Sequence, residues 1–186
     1  LSERCNQTLT IAAVIGREFT LAQLKPLIED MTEDRLLEVL EEALAARVIE
    51  ELPRIVGRYQ FTHALIQETL LGELSLTRRV RLHARIAEAL EKLYGEQAEA
   101  HAAELAHHFA EAQSVLGTEK LVRYSLLAGE RALAAYSYEE AFGYFRQALE
   151  AKGVSLASTE PAEESETAAL LFGLARAQSA TLERRQ

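Results

Sequence analysis

Cysteine occurs once in these 186 residues, at Cys5, so no disulfide can close within the chain. That economy suits a reducing compartment, and a cytoplasmic location is expected. Tryptophan is absent and proline occurs three times, which leaves long stretches free to be helical. No run approaches the ~20 consecutive apolar residues of a membrane-spanning helix, so no membrane partner is expected. The opening LSERCNQTLTIAAVIG has neither a starting Met nor the basic head of a secretory signal. The close, ATLERRQ, reads as a helix cut short. Both ends suggest an internal piece of a larger protein. No G-x-x-x-x-G-K-[ST] run occurs, so the chain carries no phosphate-binding loop of that type.

Positive charge is also scarce. The formal net charge is −9. Residues 1–94 carry 12 basic and 15 acidic side chains, and residues 95–186 carry 8 and 14. A domain that neutralises nucleic-acid phosphates normally shows the opposite balance, which speaks against a nucleic-acid partner.

What is abundant is Ala, Leu and Glu, all strong helix formers. Hydrophobic residues make up 48% and charged residues 26%, an ordinary globular balance. Leu9, Ala12, Ala13 and Ile15 predict a short helix ending at Gly16 as a left-handed cap. Thr20 caps a second helix, with Pro26 delaying or kinking it. Thr32 caps a third, running to about Ala46, with Leu36, Leu37, Val39, Leu40 and Leu44 inward. Val48–Leu52 and Tyr59–Thr62 alternate as strands around a turn at residues 53–57. At His63 the period switches from 2 to about 3.6, so a strand runs straight into a helix. Three helices followed by a hairpin is the order of a winged helix.

Beyond Ser75 the pattern is helical. Helices are predicted from Ser75 or Thr77 to Tyr94, over Ala98–Ala112, from Glu119 (capped by Thr118) to about Tyr136, over Tyr138–Ala151 (capped by Ser137), and over Thr167–Thr181. Lys152–Glu166 reads as a polar loop.

Candidate chemistry is sparse. His83, His101, His107 and His108 lack the 3- or 4-residue spacing that puts two metal ligands on one helical face. His108 shares a face with Leu105 and Ala112 and reads as a packing residue. Arg78, Arg79, Arg81 and Arg85 form the one basic cluster, whose simplest outcome is a solvated face. The third helix, where a DNA-reading winged helix is basic, carries Glu33, Asp34, Glu38, Glu41 and Glu42 against Arg35, and it would be repelled by phosphates. Nothing assembles a nucleophile with a base or a pair of acids, so no enzyme activity is expected of this segment.

Two resemblances add to this reading. In Lys120–Ala151, Ala128 and Gly129 occupy a tight-packing slot, followed by Ala141, Phe145 and Ala148 at spacings of 4 and 3. This pair of helices resembles a tetratricopeptide repeat, although Ala132 stands where the repeat usually has a large aromatic. The stretch ALLFGLARAQS resembles the first helix of a following repeat, reached through about a dozen residues beyond the usual ~34-residue period. Such units need neighbours to bury their faces.

The order of AAVIGREF, the hairpin ending FTHALIQETL, then RLHARIAEALE, AELAHHF and the repeats resembles the region following the nucleotide-binding domain of bacterial STAND-type signalling ATPases. These include LuxR-type transcription regulators and cyclase-associated ATPases. The likeness covers about residues 9–180. In that family a Met-His-Asp motif at the strand-to-helix junction sets its His near the β-phosphate of bound ADP. Here Phe61-Thr62-His63-Ala64 takes that place, with the His matched and the flanking Met and Asp not.

The expectation is therefore a mainly α chain. Residues 1–74 form a winged-helix-like domain with one small β-hairpin, 75–117 a helical connector, and 118–186 a truncated tetratricopeptide-like region. The resemblance implies a non-catalytic regulatory segment of a signal-transduction ATPase. His63 would sense ADP phosphate, and ATP or ADP would belong to the parent protein. The partners implied are the protein's own nucleotide-binding domain and a protein or inducer on the repeats. A plain protein-binding scaffold is the alternative, and a DNA-binding winged helix the less favoured one.

Overall fold

The computed structural model describes residues 1–28, 30–53, 55–155 and 164–184. The chain is mainly α-helical with a small three-stranded antiparallel sheet, and it divides into two compact units, Leu1–Leu93 and Tyr94–Gln186.

In the first unit, α1 (Glu3–Ile15) begins under a Ser2 cap, whose hydroxyl accepts from the Cys5 N–H. The helix thus starts a turn and a half before the apolar pattern suggested. Gly16 ends it, but in an extended conformation (φ 160°, ψ −175°) rather than as the left-handed cap expected. The extended backbone continues directly into β1 (Glu18–Thr20), a strand too short to show a period. Thr20 and Gln23 then form a reciprocal capping box around the start of α2 (Leu21–Leu24). Pro26 lies in a 3₁₀ turn over Lys25–Leu27. Its missing N–H holds α2 to a single turn.

α3 (Glu33–Ala45) starts where the Thr32 hydroxyl accepts from the Arg35 N–H. Arg47, at φ 56°, turns the chain out of the helix and into β2 (Ile49–Glu51). β3 (Arg58–Phe61) returns between the other two, giving the order β1-β3-β2. Phe19 stands opposite Tyr59, and Ile49 opposite Phe61. The three rings pack together, with Phe19 5.6 Å from Phe61 and 5.8 Å from Tyr59 between centroids. Leu9, Ala12 and Ala13 of α1 and Leu36, Val39, Leu40 and Ala43 of α3 are buried with them in this unit. α4 (Ala64–Gly72) lies against α1, where the Gln67 side-chain amide donates to the Ala13 carbonyl at 2.9 Å. α5 (Leu76–Tyr94) follows, the Ser75 hydroxyl accepting from the Arg78 N–H.

The second unit opens with a 3₁₀ segment, Gly95–His101, then α6 (Ala102–Glu111) and α7 (Gln113–Leu116). The single helix expected over 98–112 is thus a 3₁₀ entry and an α-helix. α8 (Glu119–Ala134), α9 (Tyr138–Ala151) and α10 (Ser165–Arg184) complete it. α8 packs on both α6 and α9, and α9 packs on α10. Phe109 and Tyr124 stack at 5.6 Å between α6 and α8. Thr118 and Ser137 stand at the cap positions of α8 and α9, but neither hydroxyl makes the capping bond expected of it. The turn between those helices is held by backbone instead: the Ser137 N–H donates to the Ala132 carbonyl at 2.8 Å, and Tyr136 sits at φ 60°. Of the loop expected over Lys152–Glu166, residues 156–163 lie outside the described residues. Its described ends are tied together, since Lys152 donates to Glu164 at 2.8 Å and Glu166 at 2.9 Å. Those two bonds hold the ammonium above its ordinary pKa.

Candidate functional site

His63 occupies the N-cap of α4, immediately beyond β3. Its backbone is extended (φ −136°, ψ 137°), as an N-cap requires, but its side chain makes no capping bond. The residue is exposed. The imidazole therefore stands free at a helix start, where unpaired N–H groups and the helix dipole favour an anion. The junction behind it is braced. The Thr62 N–H donates to the Val48 carbonyl at 3.1 Å, and the Thr62 hydroxyl donates to the Arg47 carbonyl at 2.9 Å. A histidine on a loose loop would sample many positions; this one leaves a paired strand and enters a helix within two peptide units.

No residue of α4 is fully buried, and Leu65 beside His63 is 70% exposed. The helical pattern that follows His63 does not turn wholly inward. Ile66, Leu70 and Leu74 are half-buried, whereas Leu65 and Thr69 face outward. The Thr69 hydroxyl bonds back to the Leu65 carbonyl at 2.8 Å.

The acids of α3 do lie outward. Glu33, Asp34, Glu38 and Glu41 are exposed, and Arg35 pairs with Glu38 on its own helix. That face presents negative charge to any partner. In the arginine cluster Arg78, Arg79, Arg81 and Arg85 are exposed. Arg85 has a further role, donating to the Leu27 carbonyl at 3.0 Å beside a cleft of about 680 Å³ in the same unit. Cys5 is wholly buried in that unit, its thiol directed at the Val39 carbonyl. Burial, with Glu42 nearby as the smaller cause, pushes the thiol up to about 11.

In the second unit the rings of His107 and His108 lie 5.1 Å apart between centroids, tilted at 60°. His108 is fully buried in α6 while its neighbour His107 is exposed. His101 stacks on Tyr94 at 3.7 Å, and the Tyr94 hydroxyl donates to Glu104 at 2.7 Å. His83 of the first unit is buried.

Of the residues read as a repeat-packing set, Ala141, Phe145 and Ala148 share one core cluster, with Gly129 against the Phe145 ring. Ala128, Gly129, Ala141, Phe145 and Ala148 are all buried. A β-carbon on Gly129 would fall 2.6 Å from Phe145 Cε1. The reading missed a second contact of the same kind. Gly173 of α10 meets the same ring, and a β-carbon there would lie 2.5 Å from Phe145 Cζ. The only hint in the sequence was a second glycine within an otherwise apolar helical pattern. Outside this cluster the surface carries exposed aromatics, with Tyr136 and Phe172 each 66% exposed on one groove.

No protein-family model matches this chain, and no solved structure matches it. An uncharacterized protein of Rhizobium meliloti (strain 1021) is 29% identical to it over 161 residues. The match takes in 86% of this chain but only 15% of that protein, so the chain spans a small part of its relative's length.

Proposed function

We propose that this chain is a regulatory segment of a multidomain signalling ATPase. In this reading the first unit restrains a neighbouring nucleotide-binding domain, and the helices of the second are the sensor and protein-interaction arm. The observation that carries it is His63. It is exposed at the first turn of α4, does not cap its own helix, and is held by a braced strand. A neutral imidazole there donates one N–H and a protonated one donates two, beside backbone N–H groups that also favour phosphate. The partly bare α4, with Leu65 outward, is a surface against which a second domain buries apolar area. The length of the matched relative is consistent with a segment embedded in a much longer protein.

The role is non-catalytic. His63 contributes to the difference in free energy between an ADP-held off state and an active state, and binding at the helical arm shifts the same equilibrium. The test is ADP retention and basal output in the protein carrying its nucleotide-binding domain, wild type against His63→Ala. Faster ADP release with raised basal activity is expected. Unchanged release and output in a folded variant would overturn the proposal.

A plain protein-binding scaffold is the second reading, and the exposed Tyr136 and Phe172 favour it. Direct DNA reading is disfavoured by the outward acids of α3.

A further inference from the structure

α1 carries a second row of residues beside its core stripe. Arg4, Thr8 and Ile11 follow at spacings of 4 and 3, so they lie one above another along the helix. All three line the cleft of about 680 Å³, a volume within the usual range of small-molecule sites. Leu27, Ile28 and Met31 add apolar wall, and Arg85 of α5 adds a cation. Every lining residue falls within the first unit.

Thr8 is buried, at 2% exposure, yet its hydroxyl makes no hydrogen bond with the described residues. Thr10, Thr69 and Thr181, also within helices, each donate back to the carbonyl four residues earlier. A buried hydroxyl without a partner is unfavourable. That of Thr8 is not sealed off, and Thr8 lines the cleft, so a polar group seated there can satisfy it.

Arg4 has no evident structural role. It stands in the first turn of α1, where the helix dipole disfavours a cation. It makes no ion pair with the described residues, although the protein's net charge is −9. Arg85 is anchored at the same cleft by donating to the Leu27 carbonyl at 3.0 Å. Asp30 is the acid among the lining residues, so two arginines against one aspartate leave one surplus positive charge.

We propose that this cleft binds a small organic monoanion, a carboxylate with an apolar body. A guanidinium presents a fork that matches a carboxylate with two parallel N–H···O bonds. Arg4 and Thr8, four residues apart on one helix, are close enough to reach the same head group. The hydrocarbon body lies on Ile11, Leu27, Ile28 and Met31. One surplus positive charge suits a single negative one, and Asp30 works against a dianion such as a phosphate monoester. The site is separate from His63, and its test needs no nucleotide.

The probes are octanoate, octanamide and octyl phosphate, titrated calorimetrically into the full 186-residue chain. Octanoate is expected to bind with a Kd below about 1 mM, and octanamide, with the same body and no charge, at least tenfold more weakly. Arg4→Ala and Thr8→Val each weaken octanoate about tenfold, the usual worth of a hydrogen bond to a charged group. Circular dichroism and Tm stay unchanged in Arg4→Ala, whose position is exposed, so a loss there is a loss of binding and not of fold. Absence of octanoate binding up to about 10 mM overturns the proposal. Octanamide binding as tightly as octanoate does so too, since the cleft is then only an apolar hollow. Tighter binding of octyl phosphate than of octanoate, or an unchanged octanoate affinity in either variant, overturns it equally.

Discussion

Phe145 lies so close to the α-carbon of Gly129 that a β-carbon there would stand 2.6 Å from its ring. The ring cannot retreat, because Gly173 blocks it from α10 in the same way. Gly129→Ala gains ~1 kcal/mol in helix propensity and loses about 1–3 kcal/mol to overpacking, so a net loss in Tm is expected. Phe145→Leu in the Gly129→Ala background removes the clashing ring atoms and recovers part of that loss. Thermal melts of the single and double variants decide it; a Gly129→Ala protein more stable than wild type would contradict the close approach.

His63 is a poor cap in a capping position. His63→Ser supplies the missing acceptor for the first-turn N–H groups and should stabilise the chain by about 0.5–1 kcal/mol. His63→Ala should change stability by less than about 0.5 kcal/mol, as an exposed side chain without a capping bond. Urea titrations of both variants test this. A large loss in His63→Ala would make the imidazole structural.

Cys5 should be chemically quiet. Its thiol is buried and its pKa is pushed up to about 11, so little thiolate exists near neutrality. Alkylation by iodoacetamide at pH 8 should be slow in the folded chain and fast in denaturant. The folded pKa is raised above the ordinary thiol value of 9.0. The stability this represents is complete below that value and is lost as pH climbs through about 11. Cys5→Ala should remove this alkaline slope, which melts between pH 8 and 11 would show.

Glu42 works in the opposite sense. The Ser2 hydroxyl donates to it at 2.7 Å, and the Ser2 backbone N–H also bonds it. These bonds hold its carboxyl below the ordinary 4.5. Its contribution is present above that value and is lost as pH falls through the lowered one. Glu42→Gln should therefore cost stability at pH 7 and little at the acid end, flattening the acid side of the melting profile.

The long helices and the β2–β3 hairpin were legible in the sequence because each is a local pattern. α9 matched its expected bounds, and the hairpin strands matched to within a residue at each end. β1 was not legible. Three residues show no period, and Glu18–Thr20 becomes a strand only because β3, forty residues on, offers its edge. The Gly16 cap failed for a related reason, since the backbone it leads into had to be extended. The burial of Phe145 followed from its spacing to Ala141 and Ala148. Its contact with Gly173 did not, because that pairing crosses the insert before α10. For His63, the place at the strand-to-helix junction follows from the switch in period, while its exposure and its bare imidazole depend on three-dimensional surroundings.

β3 is the middle strand, hydrogen-bonded along both edges. Amides of β1 and β2 that face away from it exchange with solvent through fraying, but those of β3 are released only when the whole sheet opens. His63 is the second residue past that strand. Whatever grips the imidazole therefore pulls on the segment of its unit that melts last. Tension applied there is passed to the aromatic core of Phe19, Tyr59 and Phe61 instead of being dissipated by local unravelling.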